Sequence, residues 1–222
     1  MFLCSCVLVF LCSCVFIAQA QATVELDYME YADDAAAQAA YVTSDTGTDL
    51  VPDMTNYTDP SGEVFYSSQH ASYPAWRAFD DDFVNHGWIT LQYTVIGYIG
   101  YDFGVGNSKN ITRYTITAPL SGYTTRAPRD WTFEGSDNAD FNPKTILHTV
   151  GSGGAEGSQT GWTAVEKRTF DFENNTSYRY YRLNITANNG DTNYLSITEI
   201  EMMRVHLKSI LRTPSNNRVL IH

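Results

Sequence analysis

Between residues 56 and 203 apolar and polar side chains alternate in short runs, and Gly, Asn, Asp and Pro separate each run from the next. In the run 111–118, Tyr114, Ile116 and Ala118 fall on one face and Arg113, Thr115 and Thr117 on the other. In 131–136, Trp131 and Phe133 oppose Thr132 and Glu134. A period of two is the period of a strand with one face buried and one wet. Further runs lie at 63–67, 98–103, 145–150, 167–172, 178–187 and 195–203. About eight such strands with no helical pattern between them predict an all-β fold, an antiparallel jelly-roll β-sandwich. The 15 Tyr and 11 Phe suit pleated sheet and supply large side chains for a core.

The flanks differ from this central stretch. Residues 2–17 are almost wholly apolar and run into Ala18-Gln19-Ala20-Gln21-Ala22, a small-residue pattern of the kind signal peptidase cleaves. A secretory signal over 1–20 is expected, hence an extracellular protein. All four cysteines (Cys4, Cys6, Cys12 and Cys14) fall inside that segment. The cleaved chain would have no disulfide, no thiol nucleophile and no thiolate zinc site. Residues 21–55 read as a leader. In it Asp33-Asp34 precede an Ala-rich stretch to Tyr41, which predicts a short helix. Residues 204–222 carry Arg204, Lys208, Arg212 and Arg218 with no acid, and read as an extended, unstructured basic tail. The net charge of -11 disfavours nucleic acid and anionic membrane as partners.

Five segments, in order, resemble the discoidin family, also called the coagulation factor five/eight C-type domain, and in particular its carbohydrate-binding relatives. They are Pro74-Ala75-Trp76-Arg77-Ala78-Phe79-Asp80 after Ser67-Ser68; Tyr101-Asp102-Phe103-Gly104; the stretch from Ala127-Pro128-Arg129-Asp130-Trp131 to Gly135-Ser136-Asp137; Tyr180-Tyr181-Arg182-Leu183; and Glu199-Ile200-Glu201. The resemblance covers 56–203. It implies an eight-stranded jelly roll that binds its ligand with loops at one end. Where the family usually has Phe-Asp-Gly, this chain has Phe79-Asp80-Asp81, and the stretch near His86-Gly87 is one residue longer. The resemblance also implies a structural calcium ion, held by the Arg77 carbonyl, Asp80, Asp82, Asn85 and Glu199. Calcium takes six to eight oxygens, and the adjacent carboxylates of Asp80-Asp81-Asp82 would be relieved by it.

A sugar is gripped by an aromatic face against its C–H groups and by planar donors and acceptors for its hydroxyls. Loop residues of those types are His70, Tyr73, His86, Trp88, Tyr123, Arg126, Asn188, Asn189 and Tyr194. A glycan is the expected ligand. A protein-binding adhesion module on a cell or particle surface is the alternative. Catalysis finds little support. Glu199 and Glu201 share a strand face and could form a carboxylate pair, but metal ligation or exposure accounts for them. The five histidines make no metal or triad signature.

Overall fold

A computed structural model describes residues 28–30, 47–154, 156–205, 210–212 and 218–221. The expected signal segment, its cysteines and the predicted helix near 35–41 lie outside the described residues. The chain divides into two units, residues 1–38 with 208–222, and residues 39–207.

The strands, in chain order, are β1 (Tyr28–Glu30), β2 (Glu63–Tyr66), β3 (Trp88–Ile89), β4 (Gly97–Asp102), β5 (Arg113–Thr117), β6 (Pro128–Ser136), β7 (Thr145–Val150), β8 (Lys167–Asp171), β9 (Tyr180–Asn188), β10 (Ser196–Ile197), β11 (Glu199–Met203), β12 (Ile210–Arg212) and β13 (Arg218–Ile221). In the larger unit, a five-stranded sheet of order β2-β4-β9-β6-β7 accompanies a three-stranded sheet of order β11-β5-β8, all pairs antiparallel. These eight strands are the predicted sandwich. The two-residue ladder of β3 with β10 is an addition at its end.

In the smaller unit β1, β13 and β12 form one antiparallel sheet. Within the segment expected as a basic tail, Ile210-Leu211 and Val219-Leu220-Ile221 are strand-forming sequence. Val51 and Met54 are buried in the core of the sandwich, and Leu50 N–H donates to the Met202 carbonyl at 2.8 Å.

Alternation aims the large rings of both sheets inward, and there they stack. Tyr114 of β5 lies parallel to Phe133 of β6, centroids 4.4 Å apart, and to Phe170 of β8 at 5.1 Å. Phe133 stacks on Tyr181 of β9 at 5.7 Å, and Trp131 meets Phe170 edge-on at 5.2 Å. All five rings are buried. Such pairs add about 0.5–1.5 kcal/mol each beyond the area they bury.

The polar atoms of this core are satisfied in series. The Trp131 indole N–H donates to the Tyr114 hydroxyl at 2.9 Å, and that hydroxyl lies 2.8 Å from His148 Nδ1. The Tyr114 proton therefore points to an unprotonated Nδ1, which leaves the imidazole proton on Nε2, 3.7 Å from Glu156. Burial holds the His148 pKa below its usual 6.5, with Glu156 opposing. The unfolded chain then takes up this proton first as pH falls. The stability from neutral His148 is complete above about 6.5 and is lost as pH drops through the depressed folded value. In urea unfolding near neutral pH, His148→Asn is expected to cost stability. The deficit relative to wild type should shrink near pH 5; a constant deficit would contradict this account.

Candidate functional site

At one end of the sandwich six side chains from three inter-strand connections close a circuit. His70 and Tyr73 lie with ring centroids 5.2 Å apart, Tyr73 and His86 at 5.2 Å, and His86 and Tyr123 at 5.1 Å. The Arg126 guanidinium stands 4.5 Å from the centroid of Tyr123 and 4.6 Å from that of Tyr194. Tyr194 returns to His70 at 6.3 Å. Five of these six are half-buried, while Tyr123 is the most open, at 38%.

Local chemistry sets each of them. His70 opens a turn in which the Tyr73 N–H donates to its carbonyl at 3.0 Å and the Ser72 N–H to its Nδ1 at 3.1 Å, so Nε2 is the remaining ring nitrogen. The turn is docked on β3 through His70 N–H to the Ile89 carbonyl, 2.7 Å. His86 is placed by its neighbour Gly87, which lies so close to the Ile197–Thr198 backbone that a Cβ there would sit 2.2 Å from the Thr198 carbonyl oxygen. Burial, then the Arg126 charge, keep the His86 pKa below 6.5, so the ring is neutral at pH 7 and can both donate and accept. Tyr123 and Arg126 bracket a one-turn 3-10 helix, Thr124–Arg126.

Asp191 holds Arg126, with Nε 3.1 Å from Oδ2. Its other oxygen accepts the N–H groups of Asn193 (2.7 Å) and Tyr194 (2.9 Å). Burial works to raise the Asp191 pKa, but these backbone donors and Arg126 outweigh it and the net shift is downward. Among the described residues, Asp191 engages Arg126 through Nε, while the guanidinium lies between the rings of Tyr123 and Tyr194. Asp191 is not among the residues expected from the sequence; the sign of it is Asn188-Asn189-Gly190-Asp191, a turn sequence in which a carboxylate can collect backbone N–H groups.

His70, Tyr73, His86, Tyr123, Arg126 and Tyr194 thus come together as the loop residues expected for sugar. Three others do not. Trp88 is fully buried and its indole N–H donates to the Ser68 carbonyl at 2.8 Å; it is a core residue, which corrects its assignment to the ligand. Asn188 is buried, bonding the Asp191 and Tyr194 carbonyls at 2.9 Å each, and Asn189 bonds those of Ala127 and Pro128 at 3.0 and 3.2 Å. Both amides brace the Tyr194 loop rather than face outward.

The expected metal residues divide as well. Glu199 is 2% exposed and accepts the Asp81 N–H at 3.1 Å. Burial, then Asp80, Asp49, Asp81 and Glu201, push its pKa up to about 10. Asp80 rises to about 6 and Asp49 to about 7, burial leading in both. Asp81 has φ 54°, the left-handed conformation that the glycine of the resembled motif adopts freely. Asp82 and Asn85 bond each other, and Asp82 also accepts the Val84 N–H at 2.9 Å, so this pair closes its own turn. Among the described residues no three His, Cys, Asp or Glu side chains form a metal-ligand group. Glu201 is tied to Lys167 at 2.8 Å and to the Thr115 hydroxyl at 2.6 Å.

No model of a known protein family matches the chain, and no curated protein matches it. Solved structures do match. A family 32 carbohydrate-binding module from a family 31 glycoside hydrolase of Clostridium perfringens is 12% identical, with 67% of this chain and 98% of that one covered and a TM-score of 0.51. A family 32 module of C. perfringens solved with galactose is 14% identical, covering 64% and 93%, TM-score 0.49. A chitosan-binding module from Paenibacillus sp. IK-5 is 18% identical, covering 71% and 99%, TM-score 0.49. The fold of the sandwich is the discoidin-like, galactose-binding-like fold of such carbohydrate-binding modules.

Truncation separates the core tryptophan from the loop ring. Trp88→Ala is expected to lower stability by about 3–5 kcal/mol in urea unfolding. A loss under about 1 kcal/mol would return Trp88 to the surface.

Proposed function

We propose that the protein is a non-catalytic carbohydrate-binding module and that the His70–Tyr73–His86–Tyr123–Arg126–Tyr194 ring is its sugar site. The observation that carries this reading is the ring itself. It offers aromatic faces for the C–H side of a pyranose, a planar guanidinium for paired hydroxyls, and imidazole nitrogens that donate and accept. The likeness of fold to a carbohydrate-binding module supports it. The Arg126 charge is matched by Asp191, so the site favours a neutral ligand rich in hydroxyls over an anion. Glu199 and Glu201 have no part in it: the first is buried and the second is engaged by Lys167.

Glycan-array binding and affinity electrophoresis test the proposal. Wild type should be retained by at least one neutral glycan. Arg126→Ala and Tyr194→Ala should each weaken that binding about tenfold or more, the scale of one charge-assisted hydrogen bond or stacking contact. Absence of retention on every glycan, with and without calcium, would sink the reading.

A structural calcium ion belongs to the same proposal. The charged groups acting most strongly on buried Glu199 are all acids, and hard oxygen donors held together without a cation are costly. Asp80, Glu199 and the Arg77 carbonyl would hold the ion, with further backbone oxygens. Asp82 and Asn85, bonded to each other, would not. Millimolar calcium against a chelator should raise the melting temperature of wild type but not of Glu199→Gln; equal melting temperatures for wild type would refute calcium binding.

A further inference from the structure

Beside the ring, the loop from β3 to β4 presents apolar side chains to solvent. Leu91 is 54% exposed, Tyr93 76% and Ile96 52%. With Tyr123 across the ring, four of the seven large exposed apolar residues among those described lie at this end. Exposed apolar surface so concentrated marks a contact surface.

The loop is held firmly against the ring. Thr94 bridges to Tyr194, and the Thr90 N–H donates to the Leu195 carbonyl at 3.0 Å. The Thr90 hydroxyl reaches the Thr94 carbonyl and also accepts the Leu195 N–H at 2.9 Å. The strand that opens the loop carries the ring's other side, through the His70 N–H on the Ile89 carbonyl at 2.7 Å. A turn closes from the Thr94 N–H to the Leu91 carbonyl at 3.0 Å. At its tip Tyr93 has φ 64°. A bulky residue in the left-handed region is strained, and nothing in packing recovers the cost, because the ring is in water. Glycine would fill the turn more easily. A tyrosine kept there at the expense of stability points to use of the ring.

We propose that Tyr93 is the platform of a second sugar subsite, which receives the residue linked to the sugar held in the Arg126 ring. The inference rests on the glycan-binding reading and extends it: the ligand is an oligosaccharide of at least two units. Thr94 and Tyr194 are cross-strand neighbours, so the Tyr93 platform lies one residue along the backbone from the wall of the first subsite.

The test compares each monosaccharide bound on the array with an oligosaccharide that ends in it, by calorimetric titration of the full chain. Wild type should favour the oligosaccharide about five- to tenfold, the scale of one aromatic stacking contact. In Tyr93→Ala that ratio should fall to near one, and Tyr93→Trp should restore it. Tyr93→Gly should lose the ratio while raising the melting temperature, which shows that the fold is intact. A ratio unchanged in Tyr93→Ala, or a wild type with no preference for length, overturns the second subsite and leaves the first standing. A wild type that binds no glycan overturns both.

Discussion

Everything in the larger unit depends on the stack of aromatic rings between its two sheets. Beyond Cys14 the sequence has no cysteine, so no disulfide can link one sheet to the other within the sandwich. Tyr114 of one sheet meets Phe133 of the other, and Phe170 meets Trp131, while Tyr181 backs Phe133 within its own sheet, and these contacts fix how the sheets lie. The polar ends of the stack are joined from Trp131 through Tyr114 to His148, so burial of the rings strands no donor among them. With the sheets fixed, the loops at their ends become fixed as well. The ring of loop side chains is thus positioned by the core beneath it.

The strands were legible because each has one wet face. The alternation in 111–118 and 131–136 reports burial directly, and β5 and β6 occupy those runs. Where both faces are covered the pattern fails. β3 is two residues long and buried on both sides, so Trp88 reads in the sequence as a loop aromatic. The run 195–203 is broken into β10 and β11 at Thr198, whose N–H and hydroxyl turn to the Thr117 and Ala118 carbonyls. No periodicity announces such a side-chain substitution in a ladder. The small sheet of β1, β12 and β13 was hidden by the separation of its strands, since pairing across most of the chain leaves no local trace.

The site was legible in kind but not in arrangement. Histidine, tyrosine and arginine in loops suggest a sugar, and those residue types are plain in the sequence. Which of them face one another depends on contacts that span from His70 to Tyr194. Asn188 and Asn189 have the right chemistry, yet their amides are spent on backbone carbonyls within hydrogen-bond reach. Asp191 is the reverse case, a turn residue by type that orders Arg126 and Tyr194 together. At Asp81 the sequence departs from the glycine of the resembled motif while the backbone keeps glycine's conformation.

The pairing of Arg126 with Asp191 has a consequence for how a ligand arrives. The protein as a whole is acidic, and its far field repels anions and attracts cations. At the ring, the one guanidinium is matched by one carboxylate, and burial keeps His86 uncharged. Attraction there comes from short-range dipoles and ring faces, which dissolved ions screen very little. The ring would therefore hold a neutral ligand with nearly the same strength in dilute and in concentrated brine, while the charge elsewhere on the surface keeps the protein dispersed.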